Sequence, residues 1–199
     1  MARRCELIAL VLLAACKREQ QQPAPQPQPQ PQPQVAPDLI PRTTGPIDLD
    51  GEWKEPDWSQ HALRHQFLGD DGQLARPSSE VRLLHDKDDL IVGLYAADEN
   101  IQSESDAFDF SIGSVAVRVT AGGKITPEML GVRARVDHDG TLDNPKDDDE
   151  EWVIELAIPL ATIAIPAGSK VPVRAARCDV TKDGVKRCGA WSGSVGLAP

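Results

Sequence analysis

The sequence predicts an all-β domain built as an antiparallel β-sandwich, and three observations carry that prediction. Short apolar runs alternate with polar residues at a period of two, as in Val115, Val117 and Val119 against Ala116, Arg118 and Thr120. Turn signals rich in Gly, Asp and Pro separate these runs at short intervals. No segment carries a long helical pattern; IPLATIA, Ile158 to Ala164, offers one turn at most. Chains of this kind bury one face of each strand by packing two sheets together.

The first strands are VRLLH, Val81 to His85, and LIVGLYAA, Leu90 to Ala97, joined as a hairpin by Asp86-Lys87-Asp88-Asp89. FDFSI (Phe108 to Ile112), SVAVRVT (Ser114 to Thr120) and VRARV (Val132 to Val136) follow. WVIELAI (Trp152 to Ile158) and VPVRAAR (Val171 to Arg177) complete the set. Trp152 shares a strand face with Ile154, Leu156 and Ile158, which places it in the core and Glu155 on the opposite face. Arg118, Arg133, Arg135 and Arg174 fall opposite the valines of their strands and are expected outward, lining one sheet. Guanidinium groups there can hydrogen-bond sugar hydroxyls, although outward charge on a sheet also serves solubility and edge protection.

Cys178 and Cys188 flank DVTKDGVKR, a segment with a turn signal at its centre. In an exported chain this arrangement predicts a disulfide across a hairpin, worth about 2–3 kcal/mol for a loop of this size. Export itself is predicted by residues 1–15: Arg3 and Arg4 precede a short apolar stretch that ends on small residues. That stretch closes as Leu13-Ala14-Ala15-Cys16 and resembles the lipobox of bacterial lipoproteins. The resemblance implies cleavage before Cys16 and acylation of its thiol. Lys17, where such proteins carry Asp for retention at the inner membrane, implies the outer membrane.

Residues 16–38 form a tether whose core, QQQPAPQPQPQPQPQVAP, cannot build a hydrophobic core and suits a polyproline II spacer. The domain proper is assigned to residues 39–199. A net charge of −10 argues against nucleic acid and against adhesion to anionic lipid, so contact with a membrane falls to the N-terminal lipid alone.

Three stretches, in order, resemble carbohydrate-binding module family 9 and the wider DOMON-like sandwiches. They are IDLDGEWKEPDW (Ile47 to Trp58), VRLLHDKDDLIVGLYAADENI (Val81 to Ile101, with Asp98 after the hairpin) and DHDGTLD…EEWVIELAIPL (Asp137 to Leu160). The closing CGAWS, Cys188 to Ser192, extends the likeness over most of the domain. The resemblance implies a non-catalytic, monomeric β-sandwich that binds an oligo- or polysaccharide through tryptophans in a groove, and in some members structural calcium. Of four tryptophans, Trp58 and Trp152 are expected in the core, while Trp53 and Trp191, in Gly- and Ser-rich turns, are the candidates for an open site. Arg133 and Arg135 join them as polar candidates.

Eight carboxylates crowd residues 137–151. Asp137, Asp139 and Asp143 alternate around Gly140 as oxygen ligands of calcium do, yet no EF-hand register fits, and a tight Asp-Gly turn followed by a solvated loop is the favoured reading of the pattern. Calcium is thus the one candidate cofactor. HExxH, GxSxG and phosphate-loop patterns are absent from the sequence, and the domain is expected to be non-catalytic. Two alternatives stay open: a structural, protein-binding envelope lipoprotein, and a haem-binding sandwich using Met129 and a histidine as axial ligands.

Overall fold

The computed structural model describes residues 38–166 and 168–199. Residues 1–37, which hold the predicted signal, Cys16 and nearly all of the tether, lie outside the described residues. Eleven strands and two short helices run in the order β1 (Leu39–Ile40), α1 (Pro56–Gln60), β2 (Leu63–Gln66), β3 (Ser79–His85), β4 (Asp89–Ala97), β5 (Ala107–Ile112) and β6 (Val115–Thr120), followed by β7 (Ile125–Thr126), β8 (Arg133–Asp139), β9 (Glu151–Pro159), α2 (Leu160–Ile163), β10 (Val171–Val180) and β11 (Lys186–Leu197). Among the described residues, no helix is long and apolar enough to cross a membrane.

Two sheets form the predicted sandwich. One has the order β1-β11-β10-β5-β6-β7, the other β2-β3-β4-β9-β8. Every pairing is antiparallel except β1 with β11. Alternation sets the core: Val81, Leu83, Val92, Leu94, Trp152, Ile154 and Leu156 from the five-stranded sheet meet Phe108, Phe110, Ile112, Val117, Val119 and Val173 from the other. Phe108 is the hinge of the packing, with its ring centroid 5.1 Å from that of Trp152 and 5.8 Å from that of Phe67.

The β3–β4 hairpin has the predicted turn, and Asp86 ties it by accepting the amides of Asp88 and Asp89, each at 2.7 Å. Cys178 and Cys188 face each other directly across the β10–β11 ladder and form the predicted disulfide.

Two expectations need correction. Trp191 lies in no turn: Gly- and Ser-rich as it is, the segment is β11, the longest strand, held between β1 and β10. Its glycines serve close approach, since a Cβ at Gly189 would sit 2.5 Å from Ala75 Cβ and one at Gly193 would sit 2.8 Å from the Trp191 ring. The outward arginines do not share one sheet either. Arg133 and Arg135 belong to β8 of the five-stranded sheet, whereas Arg118 and Arg174 belong to β6 and β10 of the six-stranded one, because the chain changes sheet between β6 and β8.

Candidate functional site

Residues 47–58 cross the outer face of the five-stranded sheet as a strap, and a single buried carboxylate pins it. Strand alternation puts Glu155 of β9 on that face, opposite Trp152, where it is fully buried. Its Oε2 accepts the amides of Asp50 (2.9 Å) and Gly51 (3.0 Å), and its Oε1 accepts the indole N–H of Trp58 (2.9 Å). Burial pushes the Glu155 carboxyl up to about 7, against the pull of these three donors. Two glycines allow the closure. Gly51 has φ +95°, and a Cβ there would meet the Asp137 backbone nitrogen at 2.7 Å; a Cβ at Gly93 would meet the Trp53 ring at 2.6 Å. Trp58, with Leu84 and Ile91, forms a small apolar cluster beneath the strap.

The strap leaves a groove on either side. The first, of about 510 Å³, is walled by Asp48, Asp86, Asp89, Arg133 and Arg135, with Ile47, Leu49, Ile91 and Ala157 as its apolar surface. Arg133 reaches Asp89 at 2.6 Å; burial holds the Asp89 carboxyl above its ordinary value in spite of that contact. Arg135 donates to the Ala134 carbonyl and makes no ion pair among the described residues.

The second groove, of about 540 Å³, contains Trp53, Arg64, Glu80, Arg82, Tyr95 and Asp137. Glu80 is clamped by Arg64 (2.8 Å) and Arg82 (2.5 Å). Burial pushes its carboxyl up, but the two guanidinium groups outweigh that and hold it below its ordinary value. Arg82 in turn lies 4.0 Å from the centre of the Trp53 ring, which also stacks on Trp58 at 5.7 Å.

Of the four predicted sugar contacts, Trp53, Arg133 and Arg135 therefore share one face. Trp191 does not join them. It packs against the core between the sheets and stacks on His65, with ring centroids 4.1 Å apart and planes at 11°. Burial lowers the His65 pKa, which favours the neutral ring in that stack.

The predicted calcium loop does not assemble. β8 stays extended through Asp139, so Asp137 and Asp139 stand two residues apart along a strand, about 7 Å. Asp143 turns away to accept the Ser103 amide (2.9 Å) and hydroxyl (2.6 Å). The rest of the acidic run is largely structural. Asp149, buried, accepts the amides of Ile101 and Thr141 at 2.8 Å each and so staples two loops. Asp148 pairs with Lys182 at 2.6 Å.

A different acidic group forms at one end of the sandwich. Asp98 follows β4, Asp106 precedes β5 and Asp179 lies in β10, and each offers a carboxylate oxygen within 4.8 Å of the other two. Arg177 sits among them, with Nη2 2.6 Å from Asp98 and 3.2 Å from Asp179, and Nη1 donating to the Ala97 carbonyl. Trp152 donates its indole N–H to Asp98 at 3.1 Å. Burial pushes Asp106 up to about 7 and Asp179 up to about 6. One sequence signal existed for this group: Arg177 and Asp179 continue the inward parity of Val171, Val173 and Ala175 on β10.

No family model and no curated protein matches the sequence. Solved structures do match the fold. A carbohydrate-binding module of family 9 from Caldicellulosiruptor kristjanssonii in complex with cellotriose superposes with a TM-score of 0.59 at 12% identity, over 80% of this chain and 92% of that one. The same organism's module in complex with glucose gives 0.57 at 13% identity, over 81% and 96%. The chain thus has a family-9-like sandwich. The haem alternative would draw on Met129 and a histidine, of which His65 has a buried Nε2 without a hydrogen-bond partner among the described residues. Met129 lies at the margin of the core, and the rings of His85 and His138 already bond backbone carbonyls.

Proposed function

We propose that this protein binds carbohydrate without cleaving it, on the strap-bearing face of the five-stranded sheet. The observation that carries the proposal is the groove in front of Arg133 and Arg135, where guanidinium and carboxylate groups surround an apolar surface. Sugars need that mixture, hydrogen-bonding groups for the hydroxyls and an apolar patch for the C–H faces of the ring. The shared fold supports the same ligand class, since the bacterial module it resembles is seen with cellotriose and with glucose. Glu155, the acid with a raised pKa, is sealed beneath the strap with all three of its donors supplied by the protein, a poor position for the general acid of a glycosidase. We place the domain at the outer membrane, as a monomer held by an acylated Cys16 with residues 16–38 as spacer. Labelled palmitate should enter the wild-type chain in cells and be lost in Cys16→Ser.

A specific observation favours a second function, that of an envelope protein that binds other proteins. Both tryptophan candidates have a ring face taken, Trp53 by Arg82 and Trp191 by His65, which leaves less aromatic surface for a sugar to stack on. A glycan array probed with the purified full chain separates the two. Binding that falls at least about tenfold in Arg135→Ala supports the groove. Silence across plant, fungal and bacterial glycans removes the sugar proposal and leaves the protein-binding one.

A further inference from the structure

β8 is an open edge of the five-stranded sheet: β9 pairs with one side of it, and no described strand pairs with the other. An open edge is a template for another strand, and proteins guard such edges with charged side chains. Charge of one sign guards best, since it repels a second copy. β8 carries charge in a different order. Arg133, Arg135, Asp137 and Asp139 are all exposed on the outer face, while Ala134, Val136 and His138 are half-buried on the inner one. The outward series therefore reads basic, basic, acidic, acidic. Arg133 is already paired with Asp89, but Arg135, Asp137 and Asp139 make no ion pair among the described residues. A second feature brackets the strand. Leu130, just before it, is 98% exposed, and Leu142, at the same remove after it, is 37% exposed.

We propose that β8 pairs with β8 of a second copy, antiparallel about a two-fold axis at Val136, and so joins two five-stranded sheets edge to edge. In that register Arg135 stands opposite Asp137 of the partner subunit and Arg133 opposite Asp139 of the partner subunit, each pair occurring twice. Residues directly opposite in an antiparallel pair have Cβ atoms about 4.5–5.5 Å apart, and opposite charges there are stabilising. Other registers lose this match. A slip by two residues sets Arg135 against Arg135 or Asp137 against Asp137, and a parallel alignment sets every charge against its like. A slip by one sets the outward face of one copy against the inward face of the other. The same axis carries Leu130 toward Leu142 of the partner subunit at both ends, covering the most exposed large hydrophobic side chain among the described residues. One patch thus fits its own copy, as a closed two-fold interface requires. Exposed ion pairs are each worth under about 1 kcal/mol, so strand hydrogen bonds and the leucines supply the affinity while the charges set the register. The pairing is reversible, between monomers that each fold alone, and the membrane anchor proposed above raises the concentration at which they meet.

This inference is independent of sugar binding, and the test contains no glycan. Sedimentation velocity of the full chain, over about three decades of concentration, reads the pairing directly. A monomer–dimer equilibrium that weakens as salt rises is expected. Arg135→Asp alone and Asp137→Arg alone each set like charges at the two central positions and should leave the chain monomeric. An equimolar mixture of the two variants should form a dimer with one copy of each, because every opposed pair is then of opposite sign. Leu130→Asp, at a position too exposed to matter for folding, should weaken the wild-type dimer at least about tenfold. If a charge variant fails to fold, the wild-type series and Leu130→Asp decide. A wild type that stays monomeric throughout overturns the proposal. So do a dimer that persists in either charge variant, a dimer indifferent to Leu130→Asp, and folded charge variants that do not pair when mixed.

Discussion

Two buried acidic sites lie on either side of the five-stranded sheet, and the protein meets their charge in different ways. Glu155, on the outer face, spends its oxygens on three donors and fastens the strap; its surroundings supply hydrogen bonds and no cation. Asp98, Asp106 and Asp179, between the sheets, receive one guanidinium for three carboxylates and leave Asp179 without a hydrogen bond. A carboxylate surrounded by amide donors is a fastening. A set of carboxylates that shares one guanidinium depends on that cation instead.

The largest effect should come from taking away the single cation of the second site. Arg177→Met leaves three buried acids unpaired and should cost about 3–5 kcal/mol in denaturant unfolding. A small loss would mean that the two sites differ less than their charges indicate.

Glu155 gives the next largest effect, through pH. Its pKa is raised from 4.5 to about 7 in the fold, so it contributes stability that is fully present below 4.5 and is lost as pH rises through about 7. Over that window the loss should be about 3 kcal/mol. Glu155→Gln cannot ionise and removes this component. The difference in stability between wild type and variant should therefore shift against the wild type as pH rises from 4.5 to 7, and a constant difference would show that the three donors hold the carboxylate at an ordinary pKa.

Reduction of the Cys178–Cys188 disulfide should cost about 2–3 kcal/mol. Because the bridge flanks Arg177 and Asp179 on the β10–β11 hairpin, hydrogen exchange should rise at that end of the sandwich and stay unchanged at the strap. The smallest effect on stability belongs to Arg135→Ala, within about 0.5 kcal/mol, since this side chain is exposed and makes no ion pair among the described residues. Its consequence should appear in binding alone.

Much of the outer-face groove was legible in the sequence. Strand alternation placed Arg133 and Arg135 outward and Glu155 opposite Trp152, and the strap carries the stretch from Ile47 to Trp58 on which the family likeness first rests. The acid–cation site was legible only in fragments. Asp98 stood out after a hairpin and Asp179 kept the inward parity of its strand, but Asp106 gave no local pattern, and the three meet only by pairing β5 with β10 and by packing one sheet on the other.

The sequence by itself determined seven of the strands, their inward and outward faces, the β3–β4 turn and the Cys178–Cys188 pairing. Each of these follows from periods of two, short loops and turn residues, which act over a few positions of the chain. Tertiary structure decided that a Gly- and Ser-rich tail is the longest strand among the described residues, that Arg82 covers Trp53, and that Asp143 binds Ser103 instead of joining Asp137 and Asp139, while Asp98, Asp106 and Asp179 converge. Those outcomes depend on contacts between residues tens of positions apart, and no local spacing encodes the distance between two strands in different sheets.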